Sequence, residues 1–133
     1  MATRTVVATP LAPRAIGPYS QAIKIGDMIF ISGQIALDPQ TGEMIAGGVA
    51  EQTHRVLKNI QAILDVCQTG LYNIAKTTVY LKSLDDFAAM NEVYATYFPG
   101  DPPARATIEA AKLPKDALVE IDAIAVIAQA GLI

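Results

Sequence analysis

Between Val49 and Cys67, the residues Val49, Thr53, Val56, Leu57, Ile60, Ile63, Leu64 and Cys67 recur at spacings of three and four. That period gathers them on one stripe of an α-helix. A helix with a single apolar stripe must lay it against another layer. Gly70 is placed to stop this helix. The layer it needs is written on either side. Tyr19 to Ile25 and Met28 to Leu37 read as strands joined at Gly26-Asp27. Along the second of these, Ile29, Ile31, Gly33, Ile35 and Leu37 alternate with Met28, Phe30, Ser32, Gln34 and Ala36. Asp38-Pro39-Gln40-Thr41-Gly42 is a turn. After the helix, Ile74 to Lys82 alternates again, with Ala75, Thr77, Val79 and Leu81 on one face. Ser83-Leu84-Asp85-Asp86 resembles a capping box and opens a second helix. Its stripe is Leu84, Phe87, Ala88, Asn91, Tyr94, Ala95 and Phe98, and Pro99 to Pro103 end it. Arg105 to Ala111 and Leu118 to Ile127 complete the strands.

The order is strands, helix, strand, helix, strands. It predicts an α+β fold in one domain over residues 1–133, with two helices on one face of a mixed sheet of about six strands. The opposite face would carry Met28, Phe30, Tyr80, Ile124 and Val126, too apolar to stay wet comfortably. Self-association through that face follows. The composition agrees: 52% of residues are hydrophobic and only 17% charged.

A net charge of −3 and the lack of any Lys/Arg cluster remove the footprint of a nucleic-acid binder. Cys67 is the only cysteine and His54 the only histidine. Neither an intrachain disulfide nor a zinc site is expected. The N-terminus lacks the apolar core of a signal peptide, and no apolar run has membrane-spanning length. A soluble cytoplasmic protein is the default expectation.

Few residues break the apolar pattern in a way that suggests chemistry. Arg105 opens a strand after Pro102-Pro103-Ala104 and shares its face with Thr107 and Glu109. It is either a solvated edge residue or a clamp for a carboxylate, since a guanidinium offers two parallel donors. Glu120, with Asp122 on the same strand face, lies inside Leu118-Val119-Glu120-Ile121. An acid there marks either a wet edge or a carboxylate that orients or deprotonates water. Asn91 interrupts the second helix's stripe, as a structural tie or as a pocket residue. Ser32-Gly33-Gln34 breaks a long apolar strand, as a bulge or a close approach to a ligand. Tyr19, after Gly17-Pro18, is a site wall or core. His54 reads as solvated and Cys67 as core.

These residues fall in a pattern. Pro103-Ala104-Arg105-Ala106-Thr107-Ile108, Ala111, Leu113 and Val119-Glu120-Ile121 resemble the signature of the RidA/YjgF family. Ala15-Ile16-Gly17-Pro18-Tyr19-Ser20-Gln21, Ser32-Gly33-Gln34, Lys76 to Leu81 and Asp86 to Asn91 agree with it, in order, over nearly the whole chain. The resemblance implies a chorismate-mutase-like fold and a homotrimer with sites between subunits. It implies deamination of small 2-imino and 2-enamino acids, such as 2-aminoacrylate and 2-aminocrotonate, to 2-keto acids without a cofactor. By the same resemblance, Arg105 binds the substrate carboxylate and Glu120 positions the attacking water. Tyr19, Ser32, Gly33, Asn91 and Thr107 line the cleft. Many active members carry cysteine where this chain has Thr107, which bears on substrate preference. Two other readings stand beside it: an endoribonuclease or translation inhibitor, which the charge disfavours, and a non-catalytic ligand-binding module.

Overall fold

The computed structural model describes residues 3–127. Six strands form one sheet in the order β1-β2-β3-β6-β4-β5. They are β1 (Arg4–Val7), β2 (Ala22–Ile25), β3 (Met28–Gln34), β4 (Ile74–Leu81), β5 (Ala104–Glu109) and β6 (Val119–Val126). The helices are α1 (Val49–Val66) and α2 (Phe87–Thr96). All neighbours run antiparallel except β4 and β5. Those two are joined through α2, and a crossover of that kind is what parallel pairing requires. The result is the expected α+β architecture.

The helical face holds the core. Val56, Leu57, Ile60, Ile63 and Leu64 of α1 are fully buried, as are Val79 and Leu81 of β4 and Val119, Ile121 and Ala125 of β6. Burial on this scale supplies most of the driving force for folding. Two buried amides on α1, both unmarked by the apolar stripe, tie the helix to loops. Asn59 donates to the carbonyls of Ile35 (3.3 Å) and Leu37 (3.1 Å), and Gln52 accepts from the Leu118 amide (2.9 Å).

Several boundaries differ from the sequence reading. The irregular N-terminal arm contains β1, whose Thr5-Val6-Val7 is a β-branched run paired with β2. Tyr19 lies before β2, not in it. The left-handed residue ending α1 is Gln68 (φ 60°), so the helix stops before Gly70. Cys67, at the C-cap, is only partly buried. Leu84 to Asp86 form a 3-10 turn, and the Ser83 hydroxyl accepts from Asp85 N at 3.1 Å. That turn rotates the second helix. Its buried side chains are Met90, Val93 and Tyr94, while Leu84 and Phe87 are exposed.

The other sheet face carries no helix. Met28 is 40% exposed, Phe30 39%, Val126 41% and Ile108 46%. Val6 and Ile25 are exposed beside them. This is the apolar open face that the alternation anticipates. Among the described residues no helix is long and apolar enough to cross a membrane.

Candidate functional site

Strand alternation in β3 breaks at Ser32-Gly33. Ile29 and Ile31 are buried toward the helices, and so is Gln34, which leaves two residues between buried positions. The register with β6 shifts at the same place. The one extra residue is a bulge, and it reverses the expected faces of Gly33 and Gln34. The bulge turns the Gly33 backbone toward the Glu120 side chain. A Cβ at Gly33 would lie 2.9 Å from Glu120 Cδ, closer than real Cβ atoms approach, and 3.2 Å from Cγ. Glycine lets the carboxyl lie against bare backbone, and any side chain here would make it move.

Glu120 is half-buried on the open face, level with Tyr80 of β4 and two residues from Asp122. Burial raises its pKa, and the neighbouring Asp122 charge raises it further. Tyr80 donates its hydroxyl to Asp122 at 3.0 Å. Glu120, Gly33 and Tyr19 line a cavity of about 440 Å³. Ser32 lines an adjoining groove with Tyr19 and Gly33. Its hydroxyl is engaged, donating to the Ser20 carbonyl at 2.6 Å, while the Ser32 amide donates to the Gln21 carbonyl at 3.0 Å. Ser32 therefore holds the segment that carries Tyr19.

The raised pKa makes a pH prediction. Folded Glu120 keeps its proton at pH values where the unfolded residue has lost it. Its contribution to stability therefore declines as pH rises from the unfolded value near 4.5 through the raised folded value. Glu120→Gln has no such titration. The variant should gain in urea midpoint relative to the wild type between about pH 4 and about pH 7. A difference that stays constant over that range would contradict the buried, unpaired state of Glu120.

Arg105 forms a second group. It pairs with Thr77 across the parallel β4–β5 ladder. Thr77 is fully buried beneath α2 and shares a 2.7 Å hydrogen bond with the Tyr94 hydroxyl. Arg105 thus points to the helical face at the sheet edge. Its Nη1 donates to Asn91 Oδ1 at 2.7 Å. Its guanidinium lies over the rings of Tyr94 (4.8 Å) and Phe87 (5.5 Å). Such stacking fixes a planar cation and leaves its other donors available. Thr107, two residues along on the same face, has a buried hydroxyl with no hydrogen-bond partner among the described residues. An orphaned buried hydroxyl costs about 1–3 kcal/mol unless something meets it.

The candidate residues therefore fall into two groups. Arg105, Asn91 and Thr107 sit at the β5 edge. Tyr19, Ser32, Gly33 and Glu120 sit around β3 and β6. Strand β4 separates β5 from β6, and the two groups occupy opposite faces of the sheet. One chain does not bring Arg105 to Glu120. Phe87 and Tyr94, which hold Arg105, gave no sign in the sequence beyond their place in the helical stripe. His54, read as solvated, is exposed and bonds to the Tyr97 hydroxyl at 2.9 Å. Among the described residues, no three His, Cys, Asp or Glu side chains converge as a metal site would need.

The family model for endoribonuclease L-PSP matches residues 9–127. The chain belongs to that family, also known as RidA/YjgF. A RutC family protein of Pyrococcus abyssi is 54% identical over 122 residues, covering 92% of this chain and 96% of that one. The mouse 2-iminobutanoate/2-iminopropanoate deaminase is 49% identical over 123 residues, covering 92% and 91%. Among solved structures, the E. coli YjgF gene product superposes with a TM-score of 0.89 at 45% identity, covering 93% and 99%. E. coli TdcF with bound serine gives 0.89 at 42% identity, with the same coverage. The sheet and helices of this chain are those of the YjgF/RidA fold.

Proposed function

We propose that this protein hydrolyses small 2-imino acids, and their enamine tautomers, to 2-keto acids and ammonia, in a site built from two copies of the chain. The observation that carries the reading is the split of the polar residues into two incomplete halves. One half has a preset guanidinium and an orphaned hydroxyl. The other has a half-buried carboxyl against a bare glycine backbone. Each lacks what the other supplies. The mouse relative's name supports the reaction, and serine bound to TdcF supports a ligand of this size. The exposed apolar sheet face supports assembly, and the resemblance implies a homotrimer.

In this reading Arg105 of one copy takes the substrate carboxylate, and the Gly33 amide of the next assists. Thr107 meets the ligand or the neighbouring chain. Glu120 orients a water toward C2. As the water oxygen bonds to C2, Glu120 accepts its proton and passes a proton to the nitrogen. The hydroxyl proton of the resulting carbinolamine then passes through Glu120 to the nitrogen, the C–N bond breaks, ammonia leaves, and C2 becomes a keto carbon. A carboxyl whose pKa is raised by burial is suited to both taking and returning the proton. Such imines hydrolyse unaided, so positioning and proton transfer worth about 10²–10⁴-fold suffice.

The test couples a threonine dehydratase to keto-acid detection. Added protein should speed release of 2-ketobutyrate. An unchanged release rate would sink the reaction. The family's description as an endoribonuclease finds no support in the charge, as no basic stripe offers itself to a phosphate backbone.

A further inference from the structure

In the single chain the cavity beside Glu120 has a volume of about 440 Å³. Its wall also includes Arg14 from the N-terminal arm and Lys115 from the β5–β6 connection. Each cation directly follows a proline, whose ring fixes φ.

Both segments are tied down. The arm is clipped by Gln21, only 4% exposed. Its Oε1 accepts from Thr9 N at 2.7 Å, and its Nε2 donates to the carbonyls of Thr9 (3.0 Å), Ala12 (3.2 Å) and Pro13 (2.8 Å). Arg14 is the next residue. The connection is a 3-10 turn closed by Asp116 N to Leu113 O (3.2 Å) and Ala117 N to Pro114 O (3.1 Å). Lys115 is left-handed within it (φ 55°). Asp116 is engaged elsewhere, with Lys82 at 2.9 Å.

Neither Arg14 nor Lys115 has an ion-pair partner among the described residues. Nor do they serve as counter-ions for Glu120, whose carboxyl is shifted upward with no lowering from either cation. They share its cavity and stand off from it. A chain of net charge −3 thus sets two exposed cations, without ion-pair partners among the described residues, on tied backbone at the wall of the cavity that Glu120 lines.

The geometry points to 2-imino acids whose side chain ends in a second carboxylate, such as 2-iminosuccinate or 2-iminoglutarate, with Arg14 and Lys115 receiving that distal group. This rests on the reaction proposed above and specifies its substrate class. The chemistry at C2 is unchanged and the distal carboxylate takes no part in it.

The stable products test this without turnover. Calorimetry should show 2-oxoglutarate binding the wild-type protein at least about fivefold more tightly than 2-oxobutanoate, with the preference shrinking as salt rises. The double variant Arg14→Ala/Lys115→Gly should lose most of that preference. Glycine suits the left-handed backbone at 115, so the turn is kept. Equal affinities in the wild type, a preference that survives the double substitution, or binding of neither keto acid would each overturn the subsite. A diacid preference without keto-acid release would retain the subsite and sink the reaction. Release from the monocarboxylic imine without a diacid preference would do the reverse.

Discussion

Arg105→Ala and Glu120→Gln chains, each inactive alone, should regain activity when co-expressed and assembled together. With Arg105 removed, the carboxylate loses a charge-assisted clamp and the imine its alignment, which costs about 10²-fold or more. With Glu120→Gln, the water loses its proton acceptor. If each site takes Arg105 from one copy and Glu120 from another, a random equal mixture rebuilds about one quarter of the sites from undamaged halves. If both residues served within one chain, every chain would carry one lesion and mixing would restore nothing. The sheet order makes the first outcome the expected one, since β4 lies between β5 and β6 and the side chains leave opposite faces. Keto-acid release by purified mixed assemblies, with composition checked by differential tags, reads the result. Light scattering on the same samples gives the copy number, and a monomer would remove the shared cleft altogether.

Much of the fold was legible because its signals are local. The α1 stripe from Val49 to Leu64 is buried as read. The alternation of β6, and of β4 from Thr77 on, separates core from open face as read, whereas a register shift at the start of β4 buries Ile74 and exposes Ala75. Chain ends of elements were less so, because they depend on single residues. Gln68 rather than Gly70 takes the left-handed place after α1, and the 3-10 turn at Leu84 swings Phe87 out of the core and over Arg105. The candidate site was legible as residue types but not as an arrangement. Alternation put Arg105, Thr107 and Glu109 on one face correctly, yet Asn91 became the partner of Arg105 only through long-range pairing of β5 with β4. Nothing in the short β5–β6 connection tells which strands lie side by side. The parallel β4–β5 crossover sends β6 to the far side of β4. The bulge at Ser32-Gly33 was one of two open readings, and only the β3–β6 register decides it.

Gly33→Ala should fold and lose most of its turnover. Gly33 is exposed and its φ is not in the left-handed region, so alanine fits the backbone and the stability change should stay within about 1 kcal/mol. The added methyl meets the far end of the Glu120 side chain, its carboxyl group, before anything rigid. The side chain yields by swinging the carboxyl away. A displacement of about 1 Å in a catalytic group costs about 10²-fold. Shortening the acid should relieve the conflict. Gly33→Ala and Glu120→Asp should each be costly, while the double variant should be clearly more active than the product of the two losses predicts. Strict additivity would separate the two residues, and full activity in Gly33→Ala would show that the site does not need the carboxyl held against bare backbone.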